Sequence, residues 1–179
     1  MGKLKKGYIQ IYTGNGKGKT TAALGLGLRA SGDNLVTYMI QFLKNSDTGE
    51  LKAVENLGGN FKIFRFESPK DFVWNLNPNE IDILKKEINE AYLFAMSVLE
   101  KKECDILILD EIMGVLGNKF LTEEQVLTLM EKKPDDIELV MTGRNVPKTI
   151  EEKADLITEM KPIKHYFNKG VEAREGIEY

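Results

Sequence analysis

Residues 12–21, Tyr-Thr-Gly-Asn-Gly-Lys-Gly-Lys-Thr-Thr, are built to hold phosphate. Glycines at 14, 16 and 18 let the backbone turn its N–H groups inward around anionic oxygens. Lys19 supplies a mobile positive charge, and Thr20 a hydroxyl of the kind that coordinates Mg²⁺. A helix starting near Lys19 would add the positive end of its dipole. The spacing departs from G-x-x-x-x-G-K-S/T, because Thr13 holds the first glycine position and Gly14 follows one step later. Such a loop predicts a bound nucleoside triphosphate but leaves open which of its bonds is broken.

Other candidate groups lie at the ends of apolar runs. Asp110 and Glu111 close Cys-Asp-Ile-Leu-Ile-Leu-Asp, the usual place for the acidic partner of a phosphate loop. A carboxylate here can bind a nucleotide's divalent metal directly or through water, can orient an attacking water as in many ATPases, or can merely end a strand. Arg144 follows Ile-Glu-Leu-Val-Met-Thr-Gly, and its guanidinium could fork onto phosphate oxygens or serve a structural ion pair. Gln41 and Lys44, after another run, are either rim residues of the same site or ordinary loop surface.

The elements that must position these groups alternate. Strands are predicted at Tyr8–Gly14, 35–42, 60–66, 104–110, 137–143 and 154–160. A helix follows the loop and ends at Gly32. Another begins at Asn77-Pro78-Asn79-Glu80, with Asn as cap, Pro at the first position and Glu at the third. Its apolar face comprises Ile81, Leu84, Ile88, Tyr92, Ala95 and Leu99. Thr122-Glu123-Glu124-Gln125 carries the capping-box pattern of a shorter helix. The run at 104–110 lacks polar alternation, as a strand covered on both faces should. The fold class is therefore α/β, a mostly parallel sheet with helices on both faces and ligands at the carboxyl ends of the strands.

Composition sets the outer bounds. At 179 residues the chain is read as one domain, 1–179, large enough for a proper core. A net charge of −3 argues against a nucleic-acid surface, and Lys3, Lys5 and Lys6 read as a solvated terminus. With Cys104 as the single cysteine no intrachain disulfide can form, which fits a reducing compartment. No apolar run approaches the ~20 residues of a membrane span, and the start has no signal-peptide core. The expectation is a cytoplasmic protein with no nucleic-acid or membrane partner.

Taken together, TGNGKGKTTAALG, IQFLK (40–44), ILDE (108–111), TGRNVP (142–147), ADLITEMKPIKHYF (154–167) and GVEAREGIEY (170–179) resemble the ATP:corrinoid adenosyltransferases. The likeness runs from about Gly7 to Tyr179, in order, and the TGRNVP segment with the tail is its most specific part. It implies a RecA-type P-loop fold and a reaction in which a Co(I) corrinoid, cob(I)alamin or cob(I)yrinic acid a,c-diamide, attacks the 5′ carbon of ATP and triphosphate leaves. No water needs activating there, so the resemblance casts Thr20 and Glu111 as ligands of Mg²⁺ (or Mn²⁺) and Asp110 as a partner acting through water. Lys19 and Arg144 become the residues that neutralise the leaving triphosphate. Thr13, Gly14, Asn15, Gly16, Lys17, Gly18, Thr20 and Thr21, with Gln41 and Lys44, become nucleotide contacts. Phe72 and Trp74 match an aromatic-x-tryptophan pair that presses on the lower corrin face and displaces the axial base. A flavoprotein-type reductase as electron donor and a homodimer are also implied.

Two departures accompany the likeness. Ser68-Pro69-Lys70-Asp71 stands where the family has a glycine-rich turn, leaving a plain core role open for Phe72 and Trp74. Only six residues precede Gly7, so the lid that some members carry there is expected to be absent or supplied otherwise. His165, the single histidine, is not read as a cobalt ligand, because an axial imidazole would stabilise the oxidised metal; it is expected to hydrogen-bond near the carboxyl-terminal segment. Cys104 and the seven methionines read as packing. Two other functions stay open: an ATPase releasing ADP and phosphate, and a non-catalytic corrinoid or nucleotide carrier.

Overall fold

The computed structural model describes residues 4–44, 47–68 and 71–179. Lys3, Pro69 and Lys70, named above, lie outside the described residues. Six strands form one parallel sheet: β1 (Ile9–Thr13), β2 (Thr37–Gln41), β3 (Phe61–Phe64), β4 (Ile106–Asp110), β5 (Glu138–Thr142) and β6 (Leu156–Glu159), in the order β3-β2-β4-β5-β1-β6. Between them run α1 (Lys19–Gly32), α2 (Gly49–Glu55), α3 (Pro78–Lys101), α4 (Ile112–Gly117), α5 (Glu123–Lys132) and α6 (Lys148–Glu151).

The period-two geometry of β4 sorts its side chains onto two cores. Ile106 and Ile108 join Met39, Phe61 and Val140 beneath Ala23 and Ala30 of α1 and Val54 of α2. Leu107 and Leu109 face the other way, with Ile11, Ile40, Leu139 and Met141, against α3, α4 and α5. All five residues of β4 are buried, as are all five of β5. The helices thus lie on both faces.

Start signals work as their chemistry requires. Asn77 accepts from the N–H of Glu80, and Glu80 returns a bond to the Asn77 N–H; Thr122 and Gln125 repeat the box at α5. The buried face of α3 is Leu84, Ile88, Ala91, Ala95, Val98 and Leu99, so the expected stripe gains two small residues while Ile81 and Tyr92 are only half-buried.

All six strands are shorter than predicted, and the cause is visible at β2 and β3. Leu43, at φ 53, turns the chain out of the sheet just past β2. With Ile40 opposite Phe64 in register, β3 then has no partner for residues 65 and 66. The helices α2, α4 and α6 were not predicted; each is too short for a helical period to show. Strand β6 is exposed along its whole length.

Candidate active site

The phosphate loop joins β1 to α1 at the carboxyl edge of the sheet. Gly14 (φ 101) and Gly18 (φ 116) occupy the left-handed region that side chains rarely adopt. A Cβ on Gly14 would stand 2.4 Å from the Met160 carbonyl oxygen, so the residue after β6 presses the loop into shape. Helix α1 begins at Gly18 without a side-chain cap, which leaves its first N–H groups for a ligand. Lys19 folds back, its Nζ donating to the carbonyls of Gly14 (2.8 Å) and Gly16 (3.0 Å).

Asp110, at the end of β4, is fully buried. It accepts from the Thr20 hydroxyl (2.9 and 3.2 Å), the Thr142 hydroxyl (2.7 Å) and Gln41 Nε2 (3.4 Å). By accepting from it, Asp110 orients the Thr20 hydroxyl, whose own lone pairs are not used in that bond. Glu111 takes the next step at φ 63, a conformation costly for a side chain, held by its N–H donating to Thr142 Oγ1 (2.9 Å). Burial first, then the Asp110 carboxylate, raises the Glu111 carboxyl above the ordinary range, partly offset by Lys19, Lys44 and Arg144. Burial and then Arg144 lower the Lys19 ammonium, with Glu111 and Asp110 opposing.

These residues border a pocket of about 510 Å³ whose wall includes Lys17, Gly18, Lys19, Thr20 and Thr21 of the loop, together with Lys44, Glu111 and Arg144. Arg144 is exposed on the pocket wall and forms no ion pair among the described residues. Gln41 is not a rim residue. It is buried beneath the site, its Oε1 accepting from Arg65 Nε (2.8 Å) and its amide aimed at Asp110 and Glu50. Thr13 and Asn15 shape the loop but do not line the pocket.

A second cleft, about 420 Å³, adjoins the first and shares Lys44 and Glu111 with it. Phe72 and Trp74 lie on its wall, stacked with centroids 4.7 Å apart and planes within 3°. They are 59% and 78% exposed, so a core role is excluded. A single 3₁₀ turn, Val73–Asn75, turns them outward: Val73 and Leu76 pack against the core, while Asp71 accepts from Phe72 N (2.7 Å) and Asn75 Nδ2 (3.0 Å). His165 lines neither cavity; its Nδ1 accepts from Phe167 N (3.2 Å) in the carboxyl-terminal segment. Cys104 is buried, and burial pushes its thiol up to about 12.

Sequence reasoning gave no site role to Thr142 or Arg65, nor to Leu24, Gly49, Glu50 and the Gly176–Tyr179 stretch that border the first pocket. Thr142 and the 176–179 stretch lie in segments that carry the family likeness, but their place at the site is set by contacts distant in sequence.

Residues 5–179 match the family described as ATP:corrinoid adenosyltransferase BtuR/CobO/CobP. The corrinoid adenosyltransferase of Escherichia coli is 33% identical over 176 residues, covering 98% of this chain and 87% of that protein. Corrinoid adenosyltransferase CobA of Salmonella typhimurium is 31% identical with the same coverage. Among solved structures, flagellar accessory protein FlaH from Methanocaldococcus jannaschii aligns with a TM-score of 0.56 over 87% of this chain and 72% of its own, at 14% identity, a likeness of fold alone. Loop, acidic strand end and neighbouring aromatic cleft agree with the sequence match along nearly the whole chain: this protein belongs to the ATP:corrinoid adenosyltransferase family.

Proposed function

We propose that the chain transfers the 5′-deoxyadenosyl group of ATP to the Co(I) of a corrinoid and releases triphosphate. The observation that carries this reading is the shared wall. Lys44 and Glu111 border both the phosphate pocket and the aromatic cleft, so a nucleotide on the loop and a macrocycle on Phe72 and Trp74 would meet there. Hydrolysis needs only water beside the phosphates and leaves an exposed stacked pair unexplained. The open cleft suits contact with one face of a flat ligand.

In the transfer, the cobalt electron pair attacks C5′, the C5′–O bond breaks, and that pair leaves on triphosphate. No proton moves at carbon. The chain's part is to hold C5′ in line and to absorb the leaving charge, for which Lys19, Arg144 and the loop N–H groups are suited. Phe72 and Trp74 would exclude a lower axial donor, easing reduction of Co(II) to Co(I). That electron comes from outside the chain, and a flavoprotein-type reductase is the donor class.

The donor set also fits a divalent metal, Mg²⁺ or Mn²⁺. Among the described residues no group of three or more His, Cys, Asp or Glu could hold a metal ion, so this would be a site of few protein ligands completed by phosphate and water. Thr20 and Glu111 would hold the ion, with Asp110 fixing the Thr20 hydroxyl. Bound there, the metal would draw charge from the departing triphosphate. Assembly as a homodimer is supported by the uncovered edge of β6, where Leu156 and Ile157 stand exposed. A cytoplasmic setting accords with the single free cysteine; among the described residues no helix is long and apolar enough to cross a membrane.

The test is a product assay under anaerobic, reducing conditions with MgATP, with and without cob(I)alamin. Triphosphate formed only with corrinoid, matched by a light-sensitive Co–C product, is the expected result. ADP and phosphate formed regardless of corrinoid would replace this reading with hydrolysis.

A further inference from the structure

The segment after β6 has no part in the reaction as described, yet it grips the phosphate loop twice. Met160 donates its N–H to Thr13 O (2.8 Å) and accepts from Gly16 N (2.7 Å). Further along, Ile177 O accepts from Lys17 Nζ (2.9 Å), and the Glu178 carboxylate sits 3.3 Å from the same ammonium. Little apolar burial holds this segment down: Ile163 is 95% exposed, Phe167 72% and Ile177 54%. Its order rests instead on a polar knot around one carboxylate. Glu178 accepts from Arg174 N (2.9 Å), Nε (3.2 Å) and Nη2 (3.3 Å), and from the Tyr166 hydroxyl. The Arg174 guanidinium lies over the Tyr166 ring at 5.0 Å, and Gly176 N closes a turn onto Tyr179 O (2.7 Å). Arg174 foremost, then Tyr166, holds the Glu178 carboxyl well below the usual carboxylate range.

The consequence is a wall. Gly176, Ile177, Glu178 and Tyr179 line the same pocket as Lys19, Thr20 and Arg144. In the sheet order, β2 and β4, which lead to the corrin cleft, lie on the β5 side of β1, whereas β6 lies on the other side. None of residues 176–179 lines the aromatic cleft, so the strap bounds the first pocket alone. We propose that Glu178 is a positioning residue for ATP: by tying the carboxyl-terminal strap to Lys17 it builds and holds that wall. The proposal rests on ATP being the nucleotide substrate, as inferred above. An exposed ion pair alone is weak; here one carboxylate gathers donors from three places in the chain, so its loss releases all of residues 170–179 together.

The experiment uses the full chain carrying Glu178→Ala or Glu178→Gln. MgATP binding is measured by calorimetry without corrinoid, and transfer by anaerobic steady-state kinetics. For Glu178→Ala we expect the Kd and KM for ATP to rise about tenfold. At saturating ATP, kcat stays within about twofold, and the KM for cob(I)alamin is unchanged. The Gln variant, which keeps an acceptor for Arg174 and Tyr166, falls between. Limited proteolysis within residues 170–179 becomes faster in both. In a Lys17→Ala background Glu178→Ala adds little further loss, because both changes cut the same link. Unchanged or tighter MgATP binding in the variants would overturn the proposal; tighter binding would make the carboxylate a competitor of triphosphate for Lys17. A full additional loss in the Lys17→Ala background would overturn it too. Failure of the underlying reading looks different: the unaltered chain would not bind MgATP, or would convert it to ADP without a Co–C product.

Discussion

The reacting groups divide into those that carry charge and those that shape the substrate. Lys19 is the mobile cation of the loop, already within reach of the Gly14 and Gly16 carbonyls that a phosphate would displace it from. Lys19→Ala should lower kcat/KM for transfer by about 10²–10³, the usual scale for losing one preorganised donor to developing charge. Near-normal turnover in the anaerobic assay would remove the loop from the reaction. In the proposed reaction Trp74 would act earlier, on the corrinoid. Trp74→Ala should cost at least about tenfold more with base-on Co(II) substrate than with chemically prepared Co(I), since only the former needs its axial donor removed. Equal losses in the two assays would leave Trp74 a simple contact. Most of these residues were legible in the sequence, because glycine spacing and strand-end acids are local patterns. Gln41 fits neither alternative, rim or loop surface: it is the last residue of β2, buried beside Asp110 in register, and its Oε1 accepts from Arg65, twenty-four residues away.

At the scale of elements, what could be read followed length and capping. Helix α3 announces itself through its Asn77 box and long apolar stripe, and α5 through Thr122. Helices of four to seven residues complete too few turns for any period to appear, so α2, α4 and α6 became visible only in the structure. Strand ends were overextended because hydrophobicity continues past the last paired residue, whereas the sheet stops where Leu43 turns away. The Asn77 cap is worth testing because the aromatic turn leads directly into it. Asn77→Ala should cost about 1 kcal/mol of stability. Thermal denaturation should show this as a fall of roughly 2–4 °C in Tm. The aromatic pair is held by Asp71 and the core contacts of Val73 and Leu76, so the KM for ATP should not change with it.

For the whole molecule, stability resides in two cores back to back across one sheet. Cys104 stands buried just before β4 and links this interior to pH. Burial pushes its thiol up to about 12 from the ordinary 9.0, so between those limits the unfolded chain sheds a proton that the folded chain keeps. The thiol's contribution is therefore fully present below pH 9 and is lost as pH rises toward 12. Denaturant titrations of the native chain and Cys104→Ala should show the stability gap between them shrinking above pH 9, by about 1.4 kcal/mol per unit at most. A gap constant from pH 8 to 10.5 would mean the thiol is not sealed in. The sheet order has a consequence of another kind. Strand β1, which carries the phosphate loop, inserts between β5 and β6, partners that lie more than 120 residues later in the chain. During synthesis the first strand must wait for nearly the last, holding Ile9 and Ile11 unpaired while β2, β3 and β4 can already associate. The loop of the proposed nucleotide site therefore gains its sheet partners only after β5 and β6 have been made, so we expect ATP binding to appear late in folding.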